Sequence, residues 1–399
     1  MRGARVPLSG MARGAWEAFE VPRDLLLGRY PAFVTGGALP RGDVPVFVFH
    51  SVEPESFGRQ LRHLADNGYV SLSIDEYYEG LVGTRPFPER AVLLTFDDGR
   101  GSLWSVGAPL LRRHGLRGVV FLVPARMRSQ AGPLPPTLDD LEAGRCSAGA
   151  VLAREAGEGA FLSWEEVEAL ARTGVFEFES HTLTHARIHV APVLTGFVRP
   201  GLRRGYAAMD VPLISDGPSD LLAHDVPLGT PILASAPRTS EELRFFEEAD
   251  LRVSCVNAVA EAGGERFFEK ADWEIRLRRL LAGRPIRGRV ETPEAREAAL
   301  RRELAQARTA IEERTGRPAL HLCYPWHTAG PTARRLARET GYLTAFCGKV
   351  PGVVVSRAGS DPLAIARIGD DYVELLPGRG RVSLATVVRR KWTRRLRGA

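Results

Sequence analysis

The chain has few cysteines, and they are not arranged for cross-linking or sulfur ligation. Cys146, Cys255, Cys323 and Cys347 are widely spread and form no C-x-x-C pair. This argues against a disulfide framework or a cysteine zinc site, and it suits a reducing compartment. Long apolar runs are missing too. Val21 to Leu27 is interrupted by Pro22, Arg23 and Asp24, and no stretch reaches the roughly 20 apolar residues of a membrane-spanning helix. No apolar segment follows Arg2 and Arg5 in the manner of an export signal. The default expectation is a cytoplasmic protein. Internal repeats and low-complexity tracts are also lacking.

Net charge is lacking once the C-terminus is set aside. The net charge is +6, and residues 385–399 hold Arg389, Arg390, Lys391, Arg394, Arg395 and Arg397 with no acid. The rest of the chain is therefore formally neutral and has no call for a nucleic acid partner. With Val387, Val388, Trp392 and Leu396 between its charges, this tail suits peripheral contact with an anionic membrane. The alternative is a solvated C-terminus. What is abundant is ordinary: 399 residues, 44% hydrophobic and 26% charged, enough for a sizeable core. That length fits one large α/β domain with an insertion, or two domains.

Along the chain, residues 1–43 show no clear period and form a leader with one short helix at most. Val46 to Phe49 is an apolar run ending at His50, as expected of a strand buried on both faces. Phe57, Leu61 and Leu64 recur at helical spacing before Gly68. Ala91 to Phe96 is the clearest strand and ends at Asp97-Asp98-Gly99. A helix over 102–114 and a strand over 118–123 follow. Ser163 and Glu166 form a capping box for the next helix, and a strand over 175–179 leads into His181. This β-α-β-α order means a parallel sheet or barrel. Residues 186–291 break the pattern and read as an insertion, with helices over 241–249 and 273–281. The pattern returns with a long helix after Thr292-Pro293, strands over 319–324, 342–346 and 364–368, and a helix after Pro331.

Three clusters carry chemistry. Asp97 and Asp98 end a buried strand, where α/β sheets and barrels bind ligands. Strand alternation would point them oppositely, and Gly99 can break the strand so that both reach one pocket. One could bind a metal and the other act as base. His181 and His185 lie four apart, on one face if the segment is helical. They too follow a strand, so they should meet Asp98 on one rim, and two histidines with a carboxylate form a known catalytic zinc set. Cys323-Tyr324-Pro325-Trp326-His327 forms a turn past a third strand.

These motifs resemble the polysaccharide deacetylase family, carbohydrate esterase family 4, which includes chitooligosaccharide deacetylases. The match is T-F-D-D-G at 95–99, S-H-T-x-T-H at 180–185 and Y-P-W at 324–326. It is supported by His50, Gln60-Leu61 before Gly68-Tyr69, and Leu162-Ser163-Trp164. The resemblance covers roughly residues 44–185 and 292–370. It implies a distorted (β/α) barrel, here over 44–370, in which the large insertion over 186–291 has no counterpart; a basic tail over 371–399 follows. It also implies that Asp97 is the general base, that Asp98, His181 and His185 hold a divalent metal, typically zinc, and that the Trp326 N–H helps hold the oxyanion.

The sequence departs from the family pattern in two places. Cys323 and Tyr324 stand where an arginine usually pairs with the base, and no late histidine follows His327 to supply the acid. Arg367 lies where exopolysaccharide-type members carry an arginine, and it is the expected partner of Asp97. His50 and His327 are candidate acids, with His224 behind them. The expected substrate is an acetylated carbohydrate, most simply an N-acetylated amino sugar in a glycan, and the expected role of the insertion is a lid over the sugar cleft. Two alternatives stay open: an amidohydrolase of the same barrel acting on a cyclic amide, and a degenerate glycan-binding protein.

Overall fold

The computed structural model of the protein describes residues 28–156, 160–203, 205–214, 226–348, 350 and 352–396. Its centre is a parallel sheet whose strands are, in chain order, β1 (Val46–Phe49), β2 (Val70–Ser71), β3 (Ala91–Asp98), β4 (Gly118–Leu122) and β5 (Phe176–Ser180). The short strands β6 (His321–Cys323), β7 (Thr344–Phe346) and β8 (Ile368–Gly369) complete it. The spatial order is β7-β6-β5-β4-β3-β1-β8, with β2 beside the start of β3. The two ends approach one another. Phe346 of β7 bridges Ile365, just before β8, and β8 pairs with β1 through Ile368 and Phe47. The sheet thus curls into a distorted barrel.

Continuous apolar runs explain the central strands. All eight residues of β3 and all five of β4 are buried, as expected when helices cover the outer face and side chains fill the interior. On the outer face, Phe96 meets Phe49, Phe57 and Phe176 with ring centroids 4.9, 5.9 and 5.3 Å apart. Leu93, Val119, Phe121, Cys323 and Phe346 face the interior. Because the strands are parallel, their carboxyl ends share one rim. His50, Asp97-Asp98, His181 and the turn after Cys323 lie at those ends, and Arg367, just before β8, extends its side chain up to Asp97.

The described part of residues 186–291 is well organised. A long strand, Arg187–Phe197, pairs antiparallel with Pro231–Pro237, and Phe245–Glu247 pairs with Gly288–Val290. Helices Ala249–Glu261 and Trp273–Leu281 pack on a small core of their own around Cys255, Val259, Phe267 and Leu277. The helix expected over 241–249 is not formed. Glu241 instead accepts the Thr332 amide and the Arg296 guanidinium, Phe245 is buried in a strand, and the helix starts at Ala249. Tertiary contacts override local propensity here.

Both chain ends contribute more to the fold than the sequence pattern implied. Within the presumed leader, Phe33 and Val34 are fully buried, and Phe33 faces Phe47 at 6.4 Å. In the tail, Leu384–Leu396 forms a helix. Val387 is buried, Arg390 pairs with Glu374, and Lys391 and Arg394 pair with Asp371. Acids just upstream therefore meet three of the tail's cations. Among the described residues no helix is long and apolar enough to cross a membrane, and no disulfide joins the cysteines.

If residues before Val44 are part of the core, Phe33→Ala will destabilise the protein by about 3–5 kcal/mol, the usual result of emptying a buried aromatic site. Denaturant unfolding checks this. An unchanged midpoint would return the segment to the status of a leader.

Candidate functional site

Asp97 and Asp98 come from the last two positions of β3, yet both carboxylates face one cleft. The backbone makes this possible at Asp98 itself, where φ is 69°, followed by Gly99 at 66°. A left-handed conformation is costly for a residue other than glycine. It undoes the strand alternation one residue earlier than Gly99 alone would.

Asp97 is held by Arg367 through two parallel bonds, Nη1 to Oδ1 at 2.6 Å and Nη2 to Oδ2 at 2.7 Å. Arg367 is in turn fixed by the Cys347 carbonyl at 3.1 Å and the Thr95 hydroxyl at 3.3 Å. The Cys323 thiol lies 3.8 Å from Asp97 Oδ2. Burial pushes the Asp97 pKa up, but the Arg367 guanidinium more than reverses this and holds it well below the usual carboxylate range. For Asp98, burial is likewise outweighed, chiefly by Arg100, which donates Nε and Nη2 to Oδ2 at 3.0 and 2.5 Å.

The other oxygen of Asp98, Oδ1, is sealed from solvent and has no hydrogen-bond partner. It lies 3.6 Å from His181 Nε2 and 3.6 Å from His185 Nε2. Three ligands of a tetrahedral metal at about 2.0–2.2 Å would sit about 3.3–3.5 Å apart, so the spacing fits a small divalent ion. The donor set fits too. His181 Nδ1 is 2.8 Å from the Cys323 carbonyl, which can only accept, so Nδ1 donates and Nε2 is the nitrogen turned to Asp98. Burial first, then the neighbouring His181, lowers the His185 pKa to about 3, so its imidazole is neutral and can ligate.

The two histidines do not lie on a helix. Their segment is a tight turn, with Thr182 at φ 64° and His185 at φ 56°. Thr182 Oγ1 accepts the His185 amide at 3.2 Å. Glu303 then clamps the turn from helix Pro293–Thr315, accepting the Thr184 hydroxyl at 2.7 Å and its amide at 3.1 Å. Sequence reasoning missed Glu303 because it lies over a hundred residues from its partner in an otherwise ordinary helix. It also missed Arg100, although that residue directly follows the Asp97-Asp98-Gly99 motif.

Past β6, Trp326 and His327 both take φ 56°. None of the turn's backbone hydrogen bonds uses the Trp326 N–H. The Trp326 ring lies 5.0 Å from His185 and 5.1 Å from the Arg187 guanidinium, so the first strand of the insertion walls the cleft. Tyr206, also in the insertion, covers Arg100. His327 Nδ1 lies 3.3 Å from Arg367 Nη2. A guanidinium only donates, so this imidazole is neutral and carries its proton on Nε2. His50 is solvent-exposed at the mouth. Even with that exposure, the protein atoms crowded around it lower its pKa, against the pull of Asp98 and Asp97. His224 lies outside the described residues.

The known proteins that this chain resembles include polysaccharide deacetylases. Residues 84–195 match the family model for polysaccharide deacetylase. A poly-beta-1,6-N-acetyl-D-glucosamine N-deacetylase of Escherichia coli (strain K12) is 33% identical over 134 residues, covering 34% of this chain. The matched stretch spans 18% of that relative, under a fifth of its length. The solved BpsB deacetylase domain from Bordetella bronchiseptica superposes with a TM-score of 0.50 at 16% identity, covering 83% of this chain and 97% of that one. That likeness concerns the fold alone.

If Glu303 sets the histidine turn, Glu303→Gln will weaken zinc binding by about 10- to 100-fold, as changes behind metal ligands do. Calorimetric titration of zinc into the variant checks this. Wild-type affinity in a folded variant would make Glu303 a packing residue only.

Proposed function

From a chain that belongs to the polysaccharide deacetylase family, matched over residues 84–195, we propose a metal-dependent hydrolase that removes acetyl groups from N-acetylated amino sugars of a glycan. One observation carries the reading. The unpartnered Asp98 Oδ1 stands 3.6 Å from the Nε2 atoms of both His181 and His185, and the ionised Asp97 lies 3.9 Å from the former. Nothing else in the fold accounts for a buried carboxylate oxygen left without a donor.

Asp98, His181 and His185 are the ligands in this reading. A divalent ion there, zinc being the best suited to this donor set, supplies polarisation of the acetyl carbonyl and a lower pKa for bound water. Asp97 is the general base. Arg367 keeps it ionised and fixes both of its oxygens, so it accepts a proton from a defined direction. A carboxyl of such low pKa readily releases that proton to the next group. The Trp326 N–H, turned by its left-handed backbone, is the donor assigned to the tetrahedral oxyanion; one such donor is worth roughly 3–4 kcal/mol in other acyl-transfer enzymes.

His50 is the better candidate for proton delivery to the leaving amine. The contact between Arg367 and His327 Nδ1 opposes a second proton on His327, whereas the lowering of the His50 pKa by burial is partly offset by Asp98 and Asp97. The amino-sugar assignment draws on the relative from Escherichia coli, whose name gives poly-beta-1,6-N-acetyl-D-glucosamine as its substrate. The Trp326 ring offers a flat wall on which a sugar can stack.

Acetate release from N-acetylglucosamine oligomers tests the proposal. Wild type is expected to release acetate, and Asp97→Asn to lose about 100- to 10,000-fold in kcat while keeping its metal. Equal rates for the two proteins would remove Asp97 as the base. No release from any acetylated sugar by metal-loaded wild type would overturn the activity.

A further inference from the structure

Three arginines lie near Asp97 and Asp98, and two of them have a carboxylate. Arg367 holds Asp97 and Arg100 holds Asp98. The third, Arg126, has none. It sits in the short turn Pro124–Arg126 just past β4, between the Asp98 loop and the histidine turn. The Ala125 amide ties this turn to the Leu183 carbonyl at 3.0 Å. Arg126 is only 7% exposed, and its Nε is buried without a partner. Among the described residues its guanidinium makes neither a hydrogen bond nor an ion pair. Asp98 and His185 lie within its electrostatic reach.

A guanidinium held this deep, with its Nε buried and unpartnered, is expensive to keep, and replacing it with an apolar side chain would normally stabilise a protein. Its neighbourhood makes it more so. Three arginines face two aspartates, leaving an excess positive charge in a closed cleft, and a divalent ion on Asp98, His181 and His185 would raise that excess. The missing group is an anion. A guanidinium presents a planar fork that matches the paired oxygens of a carboxylate or phosphate.

We propose that Arg126 receives an anionic group, carboxylate or phosphate, carried by the sugar substrate close to the acetamido group being hydrolysed. The inference rests on the reading of the site as a glycan deacetylase and narrows it. The preferred substrate is charged, unlike a plain N-acetylglucosamine polymer. Arg126 is then a specificity residue, retained against stability for the sake of recognition.

Binding separates this inference from the activity itself. Calorimetry on the purified full chain compares N-acetylglucosamine with N-acetylglucosamine 1-phosphate and N-acetylmuramic acid, which carry a phosphate and a carboxylate respectively. Wild type is expected to bind at least one charged sugar about 10- to 100-fold more tightly than the neutral one, the range of a hydrogen-bonded charge contact. Arg126→Gln should lose that preference and keep its affinity for the neutral sugar. Without ligand, Arg126→Met should raise Tm. Equal affinities in wild type, a preference that survives Arg126→Gln, or a lower Tm in Arg126→Met would each overturn the inference. So would Arg126-dependent binding of free acetate without any preference among the sugars, which would assign the residue to the product. Acetate release without a charge preference would leave the deacetylase standing and remove this inference. A charge preference that depends on Arg126, in a protein that releases no acetate, would do the reverse.

Discussion

Two adjacent aspartates must face the same cleft, and the site depends on how the backbone meets that demand. A regular strand would send Asp97 into the barrel and Asp98 outward among the helices. The left-handed turn at Asp98 brings the second carboxylate back to the rim. Each aspartate then acquires an arginine of its own, so two negative charges stand side by side in a dry site without mutual protonation. Asp98 uses one oxygen for Arg100 and keeps the other for the histidines. Asp97 uses both for Arg367.

The same demand recurs around the rim. Of the six described residues other than glycine with positive φ, five are Asp98, Thr182, His185, Trp326 and His327. Each such residue costs on the order of 1–3 kcal/mol, and such strain persists only where surrounding contacts over-determine it. The contacts are present. Glu303 clamps the histidine turn, and the Cys323 carbonyl orients His181. From the insertion, Thr239 binds the carbonyl of Thr328 and accepts the amide of Gly330 beyond the Trp326 turn. The insertion therefore does more than cover the cleft, because its strands help fix the turn on which Trp326 sits.

Much of the barrel was legible because buried parallel strands are continuous apolar runs, and β3 and β4 are such runs. The chemistry was legible where it sits in short motifs, at 95–99 and 180–185. Arg367 could be anticipated as the partner of Asp97 from its place in a late Ala-Arg-Ile segment, and it does contact that carboxylate. What was not legible depends on distance in the chain. Glu303 and Thr184 meet only in the fold. The histidine spacing of four suggested a helix, and a strained turn serves the same geometry by other means. Phe33 is buried although its flanking residues show no period. In the segment after Glu241, contacts with Thr332 and Arg296 decide against the helix that the local residues favour.

The central claim is that Asp98, His181 and His185 hold a metal ion that the chemistry requires. Elemental analysis of the untagged protein beside His181→Ala addresses it most directly. About one divalent ion per wild-type chain is expected, held by three protein ligands with its fourth position open, and lost in the variant. A wild-type protein that is free of metal and takes up no added zinc would contradict it.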